Sequence, residues 1–166
     1  DYARDMFLFS FNTRGMSFID MAYLKKSDLK NSVIIYRRRK TGQQLSIKWE
    51  KCMEEIIATY DGFSTAQYLL PIITNPCAEE RTQYRNAISR INVALKEVAR
   101  LAELNMPLTM HCARHCWASI AKSKNIPLSV ISEGMGHDSE ETTRIYLASL
   151  DTNAVDKANS LILKDF

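Results

Sequence analysis

One apolar stripe, between residues 79 and 104, constrains the fold of this chain more than any other feature of its sequence. Its apolar side chains recur at alternating steps of four and three, the spacing of one face of an α-helix: Tyr84, Ile88, Ile91, Leu95, Val98 and Ala102. A long helix with one apolar face buries that face against other elements. The stripe therefore predicts the core of a mainly helical domain, and 166 residues with 46% hydrophobic content suffice for one.

Shorter helices are predicted on both sides of this stripe. Their approximate ranges are 17–24, 51–60, a segment beginning at 109, 128–134, 138–149 and a last helix after 151. Three signals bound them: Thr109 as an N-cap, Pro127 in a first turn that leads to a stop at Gly134, and Asp138 with Glu141 as a cap.

β-structure is predicted in one place. The β-prone segments 33–36 and 45–47 flank the polar residues 37–44, which include the glycine that a tight reversal favours. This pattern indicates a β-hairpin with a basic tip that carries Lys40. Such a hairpin either presses cations against a nucleic-acid backbone or is an exposed edge kept soluble by Lys and Arg. The predicted fold class is mainly α with a small antiparallel β-sheet (α+β).

Positive charge is concentrated around this hairpin. Residues 25–51 contain nine Lys and Arg against Asp28 and Glu50, whereas the rest of the chain carries an excess of four negative charges. Although the net charge is only +3, this asymmetry points to a polyanionic partner.

The sequence has no apolar run of about 18 residues that would span a membrane, and its four cysteines lack the spacing of a secreted disulfide framework. We therefore expect a cytoplasmic protein with reduced thiols.

The C-terminal third contains the chemically most informative residues. His111 and Arg114 lie three residues apart, so both project from one face near the start of the helix that begins at Thr109, where free N–H groups attract phosphate. His137 follows in a G-x-G-H turn, and Tyr146 comes nine residues later. Taken alone, a histidine at the start of a helix is more often a capping or core residue than a catalyst, and a tyrosine such as Tyr146 is consistent with simple packing.

The same region also has features of a metal site and of a helix-turn-helix. His111 with His115 and Cys112 with Cys116 are i, i+4 pairs, as in some metal sites, but the two pairs point about 100° apart on a helix and no second Cys/His cluster completes a ligand set. No metal is therefore expected, and the cysteines are predicted as small core residues. The two short helices joined near His137 also suit a helix-turn-helix, which would bind DNA without catalysis.

The joint occurrence of these residues resembles a known family. The pattern H-x-x-R, a histidine 23 residues after that arginine and a tyrosine nine residues further on resembles the catalytic domain of tyrosine recombinases, the phage-type integrase family. Residues 11–29 are similar to the helix that bears the family's first arginine and to its L-x-x-S-D-[IL] segment, and residues 39–42 to its lysine-bearing hairpin. The resemblance covers essentially the whole chain and has the character of integrases from Bacteroides-type mobile elements.

This resemblance implies a mechanism. Tyr146 attacks a scissile phosphate, which forms a 3′-phosphotyrosyl link and frees a 5′-hydroxyl; the hydroxyl of a second strand then reverses the step. Arg114, His111 and His137 are suited to stabilise the charge that develops on the nonbridging oxygens or to assist loss of the tyrosine proton. Lys40 protonates the departing 5′-oxygen. No cofactor or metal takes part in this chemistry.

The first arginine of the family pattern departs from expectation. Alignment of Gly15, Met16 and Asp20 on the family's T-G-[LM]-R-x-x-[ED] motif places Ser17 where the arginine belongs. Arg14 stands three residues earlier, within reach of the same phosphate. Since a guanidinium donates two charge-assisted hydrogen bonds and a hydroxyl donates one neutral bond, we predict that Arg14 has this role.

The resemblance also implies partners and an organisation. We expect double-stranded DNA at a specific recombination site, a homotetramer on DNA that is monomeric when free, and a bacterial, nucleoid-associated location. The residues expected to contact DNA are Arg37, Arg38, Arg39, Arg85 and Arg90. Residues 1–166 should form one catalytic domain, the C-terminal part of a longer recombinase, with residues 150–166 as a helical tail that docks on a neighbouring protomer or folds back. The alternatives are a type IB topoisomerase and the helix-turn-helix module.

Overall fold

This computed structural model describes residues 1–150. They contain seven α-helices and a three-stranded antiparallel sheet. In chain order the elements are α1 (Tyr2–Asn12), α2 (Phe18–Ala22), β1 (Leu29–Lys30), β2 (Val33–Arg37), β3 (Gln44–Lys48), α3 (Lys51–Thr59), α4 (Glu80–Leu101), α5 (Met110–Ser123), α6 (Leu128–Met135) and α7 (Glu140–Leu150). The expected fold class, mainly α with a small antiparallel sheet, is confirmed. The helix predicted after residue 151 lies outside the described residues.

Helix α1 occupies the centre of the larger core. It packs against α5, α4 and α3, and its Met6 and Phe9 are fully buried. From α4, Ile91 and Leu95 of the predicted stripe enter this core. Ala102 does not, because α4 ends at Leu101 and leaves it exposed.

The β-hairpin forms where the sequence predicts it. Strands β2 and β3 pair antiparallel, with Ile34 opposite Ile47 and Tyr36 opposite Leu45, and all four of these side chains face the core. Strand β1 adds a short third strand to β2, which the sequence analysis did not predict because two residues carry no periodicity. The hairpin tip, residues 38–43, is closed by the hydrogen bond from the Arg38 N–H to the Gln43 carbonyl (2.9 Å).

Helices α5, α6 and α7 enclose a second, smaller apolar cluster. Its buried members are Ala118, Ala121, Ile131, Met135 and Leu147. The stop predicted at Gly134 is wrong: α6 continues to Met135 and ends at Gly136 in the left-handed conformation (φ 63°). The glycine at position 134 allows the Trp117 ring to pack closely against α6, because a Cβ there would lie only 2.9 Å from the ring. The cap predicted at Asp138 is also displaced, because the Ser139 hydroxyl accepts the Thr142 N–H (3.2 Å).

Two glycines bring distant segments into contact. Gly15, in the turn after α1, has φ +73° and lies so close to α5 that a Cβ would stand 2.7 Å from the Arg114 Cα. At Gly136 a Cβ would stand 2.9 Å from both the Arg38 Cδ and a Leu45 methyl group. The first contact fixes the end of α1 on α5, and the second fixes the base of the hairpin tip on the end of α6.

None of the helices described for residues 1–150 is both long and apolar enough to cross a lipid bilayer.

Candidate active site

Arg114 lies at the point where the turn after α1, helix α5 and the end of α6 meet. Its side chain is buried, with 8% of the residue exposed. Nη1 donates to the Gly15 carbonyl (3.0 Å), and Nη2 donates to the Met135 carbonyl (2.7 Å) and to His137 Nε2 (3.1 Å). The guanidinium thus joins three segments through neutral acceptors and keeps its full positive charge.

His137 is held in one tautomer by its two neighbours. Because an arginine can only donate, Nε2 is the acceptor in the bond with Arg114 and the ring proton sits on Nδ1. Nδ1 then donates to the Thr143 hydroxyl (2.8 Å), which is fully buried on α7. Burial, with the positive charges of Arg114 and Arg38, lowers the pKa of His137 to about 4, so the ring is neutral at pH 7.

Arg38 lies in an unexpected place. The sequence predicts it on an exposed basic tip with Arg37 and Arg39, but the structure buries it, with 9% of the residue exposed, and its Nη1 donates to the Gly136 carbonyl. This is the carbonyl after the one that Arg114 binds. Burial lowers the pKa of Arg114 and the positive charge of Arg38 lowers it further, because two like charges stand close together.

The arginines on either side of Arg38 stay at the surface. The Arg37 Nη1 donates to the Gly42 carbonyl (3.2 Å). Arg39 is exposed and lays its guanidinium over the Tyr23 ring, 3.9 Å from its centroid, while its N–H donates to the buried Asp20 carboxylate (2.8 Å). The two contacts of Arg39 tie the tip to α2 and to Tyr23, which follows it.

Lys40 is exposed at the tip, and its charge acts on two histidines. Burial is the main cause that lowers the pKa of His111, and the positive charges of Arg114 and Lys40 add to it. Lys40 also contributes to the lowered pKa of His137. The hairpin therefore brings this ammonium group to the same cleft as the two histidines.

The two candidates for the first arginine have different surroundings. The Ser17 hydroxyl donates to the Asp20 carboxylate (2.6 Å) and accepts the Asp20 N–H (3.3 Å), so it serves as the N-cap of α2. Arg14 lies in the turn after α1, with its Cδ 3.7 Å from where a Cβ of Gly134 would stand. Burial raises the pKa of Tyr36, and the charge of Arg14 is one of three guanidinium charges that oppose this rise. The Arg14 side chain therefore lies against α6 at Gly134, and its charge is close enough to act on Tyr36.

Tyr146 meets a histidine that the sequence analysis did not assign to the site. Its hydroxyl is 2.7 Å from His115 Nδ1, and the two rings stack with centroids 5.3 Å apart and an interplanar angle of 18°. The His111 ring packs edge-on against His115 (4.4 Å), and the His137 ring lies 5.6 Å from Tyr146. Burial raises the pKa of Tyr146 to about 12, although the charge of Arg114 opposes the rise.

His115 could not be assigned from its spacing because its partner lies 31 residues away on another helix. The one local signal is its i, i+4 relation to His111, a spacing that is equally typical of metal sites. No group of three or more His, Cys, Asp or Glu side chains within residues 1–150 is placed to hold a metal ion. Cys116 is exposed rather than part of the core, which corrects the prediction, and Cys112 is half-buried.

Positive charge in this cleft has no counterion. Within residues 1–150, none of the side chains Arg14, Arg38, Lys40 and Arg114 forms a salt bridge with a carboxylate. The Asp20 carboxylate is near but accepts from Ser17 and from the Arg39 backbone. The cleft is therefore suited to a singly or doubly charged anion.

Arg85 and Arg90 are not brought into this cleft by any contact. Both are exposed on α4. Arg90 lies near Tyr2, at the opposite end of α1 from Gly15, since its charge acts on the Tyr2 hydroxyl.

Comparison with known proteins places this arrangement in context. The model of the phage integrase family matches residues 4–153. A probable integrase/recombinase protein of Methanocaldococcus jannaschii is 27% identical over 130 residues, which are 75% of this chain. The chain spans only 38% of the length of that relative.

Three solved structures share the fold at low sequence identity. The XerA recombinase (TM-score 0.61, 18% identity) covers 87% of this chain, with 56% of its own chain matched. XerH site-specific recombinase, bound to a palindromic difH substrate in a post-cleavage complex (TM-score 0.64, 18% identity), covers 95%, with 45% of its own chain matched. A lambda integrase dimer bound to a COC′ core site (TM-score 0.60, 16% identity) covers 88%, with 52% of its own chain matched.

Proposed function

This chain belongs to the phage integrase family, and from that membership we propose that it is the catalytic part of a site-specific DNA recombinase that cuts and rejoins DNA through a 3′-phosphotyrosyl intermediate. The observation that carries the proposal is Arg114, a buried guanidinium without a salt bridge within residues 1–150, whose charge acts on the Tyr146 hydroxyl. A scissile phosphate is an anion of the right charge for that cleft, and a phenol is a nucleophile of the right kind for transesterification.

The proposed reaction assigns each group one task. The Tyr146 oxygen bonds to phosphorus while the bond from phosphorus to the 5′-oxygen breaks, and Lys40 gives that oxygen a proton. Arg114 donates to the nonbridging oxygens as negative charge builds on them, and His111 donates from the rim of the cleft. In the free protein both nitrogens of His137 are engaged, so we assign it first to holding the Arg114 guanidinium in place.

A second guanidinium completes the anion site in this proposal. The Arg14 guanidinium has no hydrogen-bond or ion-pair partner within residues 1–150 and is free to turn onto the phosphate. Arg38 is held by the Gly136 carbonyl and braces the turn that leads to His137. We assign phosphate contact to Arg14 and support of the turn to Arg38.

The wider assignments extend this proposal to the whole assembly. We propose double-stranded DNA at a specific site as the partner, in line with the DNA complexes of XerH and lambda integrase. Arg37, Arg39, Arg85 and Arg90 are exposed and suited to backbone contact, whereas Arg38 would need to leave its buried position. We further propose a homotetramer on DNA, residues 150–166 as a tail that docks in trans, an origin in Bacteroides-type mobile elements and action on the bacterial nucleoid.

A suicide substrate tests the reaction. On a nicked duplex whose short 5′ fragment diffuses away after cleavage, the wild-type protein should accumulate an adduct with DNA that survives denaturation. Tyr146→Phe lacks the nucleophilic oxygen and should form no adduct while it binds the duplex with nearly unchanged affinity. Gel electrophoresis and a parallel binding titration measure the two quantities.

The outcomes separate the alternatives. An adduct that persists in Tyr146→Phe contradicts the assignment of the nucleophile. Binding without any adduct from the wild-type protein favours the helix-turn-helix interpretation. An adduct together with relaxation of supercoiled DNA, but without strand exchange between two duplexes, favours a type IB topoisomerase.

A further inference from the structure

The phenol of Tyr146 has a single hydrogen-bond partner within residues 1–150, and that partner is His115. The hydroxyl and Nδ1 are 2.7 Å apart, and the stacked rings leave little freedom to either side chain. His115 lies on α5 one residue after Arg114, so the helix that supplies the buried guanidinium also presents an imidazole to the nucleophile.

The other basic groups of the cleft are committed elsewhere. His137 uses Nε2 for Arg114 and Nδ1 for Thr143, so neither nitrogen offers a lone pair to the phenol. His111 is exposed and contacts the edge of the His115 ring. Lys40 is a cation and acts on His111 and His137 through its charge. Of these groups, only His115 is positioned to accept the proton of Tyr146.

We propose that His115 is the general base that takes the Tyr146 proton during cleavage and returns it during ligation. As the tyrosine O–H bond breaks, its proton moves to Nδ1, the oxygen bonds to phosphorus, and the 5′-oxygen leaves with a proton from Lys40. Ligation runs each transfer backwards. This inference rests on the proposed function and adds to it the identity of the proton acceptor.

The protonation states of the pair support this role. With a pKa of about 12, the buried phenol is ionised in roughly one molecule in 10⁵ at pH 7, so proton removal must accompany attack. Burial lowers the pKa of His115, and the neighbouring His111 and Arg114 lower it further. The groups that act on the ring are these two on α5 and Tyr146 across the hydrogen bond on α7. The imidazole is therefore neutral at pH 7, and it loses its acceptor lone pair as the pH falls through its lowered pKa.

A purely positioning role predicts different behaviour from the same contact. Asparagine at position 115 places a carbonyl oxygen near the site of Nδ1, so it accepts the phenol hydrogen bond but does not take up a proton. If His115 only orients Tyr146, His115→Asn preserves most of the activity. If His115 is the base, His115→Asn is nearly as slow as His115→Ala.

The experiment measures single-turnover adduct formation on the nicked suicide substrate from about pH 5 to pH 9. The variants are His115→Ala, His115→Asn and, as a matched control on the exposed face of the same helix, Ser119→Ala. We expect both His115 variants to be slower by roughly 10²- to 10⁴-fold and to lose the fall in rate on the acid side. Added imidazole should restore part of the rate of His115→Ala, and Ser119→Ala should match the wild type.

Each contrary result is distinct. If His115→Asn keeps a near wild-type rate and pH profile, His115 is a positioning residue and not the base. If His115→Ala is faster than the wild type, the contact with His115 holds Tyr146 back from attack. Failure of imidazole to restore any rate in His115→Ala that still binds DNA also overturns the proposal. A wild-type protein that forms no adduct refutes the proposed function itself, whereas unchanged adduct formation in His115→Ala refutes only the base.

Discussion

At the scale of single residues, the arginines near Tyr146 differ in how firmly they are held. Arg114 has three acceptors and Arg38 one, whereas Arg14 has none within residues 1–150. Ser17 occupies the family's arginine position, but its hydroxyl caps α2 through Asp20. The side chain with the greatest freedom to follow a phosphate is therefore Arg14.

Substitution of Arg14 tests this assignment. Arg14→Ala should lower the rate of cleavage by roughly 10²- to 10³-fold, the usual effect of removing one donor to a developing oxyanion. Ser17→Ala is the matched control: loss of an N-cap lowers the free energy of unfolding by about 1 kcal/mol but should leave cleavage nearly unchanged. Adduct formation and thermal unfolding measure the two effects. A full rate in Arg14→Ala with a large loss in Arg38→Ala would assign the second guanidinium to Arg38.

Residue identities alone revealed part of the site. The family resemblance in the spacing of Arg114, His137 and Tyr146 predicts that they act together, and the structure brings His137 into contact with both of the others. His115 and the burial of Arg38 were not predictable in the same way. Each depends on a contact between elements far apart in the chain, and a charged residue in a basic run gives no local sign that it will be buried.

At the scale of elements, the hairpin is held in place by contacts at both its base and its tip. Its base is fixed by the close approach of Gly136 to Arg38 and Leu45, and its tip is tied to α2 through Asp20. Lys40 projects beyond both anchors and is exposed. The sequence predicted this hairpin from alternation and a turn glycine. It could not choose between Gly134 and Gly136 as the end of α6, since the two differ in tertiary packing: Trp117 packs on Gly134, whereas Arg38 and Leu45 pack on Gly136.

The proposed role of the hairpin is tested by changing the leaving group. Lys40→Ala should slow cleavage of ordinary DNA by roughly 10²- to 10⁴-fold because the 5′-oxygen then leaves without a proton donor. A substrate with a bridging 5′-sulfur needs no such donor, so the same variant should cleave it at nearly the wild-type rate. Single-turnover rates on the two substrates decide the matter. Equal losses on both substrates would mean that Lys40 only binds phosphate.

At the scale of the whole molecule, the cleft joins the two ends of the described chain. Arg14 and Lys40 come from its first 40 residues, and the groups from His111 to Tyr146 come from its last 40. The α4 stripe predicted the core that holds these ends together, and Ile91 and Leu95 lie in that core. The order in which elements pack around α1 could not be predicted, because periodicity defines a face but not its partner.

The cleft contains positive charges that form no salt bridges within residues 1–150. Binding of an anion there should therefore raise the stability of the native state. Repulsion between Arg38 and Arg114 opposes folding, and a tetrahedral dianion bound by Arg114 and Arg14 should offset this uncompensated charge. Sulfate at about 100 times its dissociation constant should add about 2.7 kcal/mol to the free energy of unfolding, which is roughly 5 to 10 °C in Tm for a domain of this size. Arg114→Gln should retain only the general effect of sulfate as a salt, and an equal rise in Tm in both proteins would contradict a specific site. A protein with such a site is less stable without its anion than with it, so occupancy of the site can be followed by thermal unfolding as well as by catalysis.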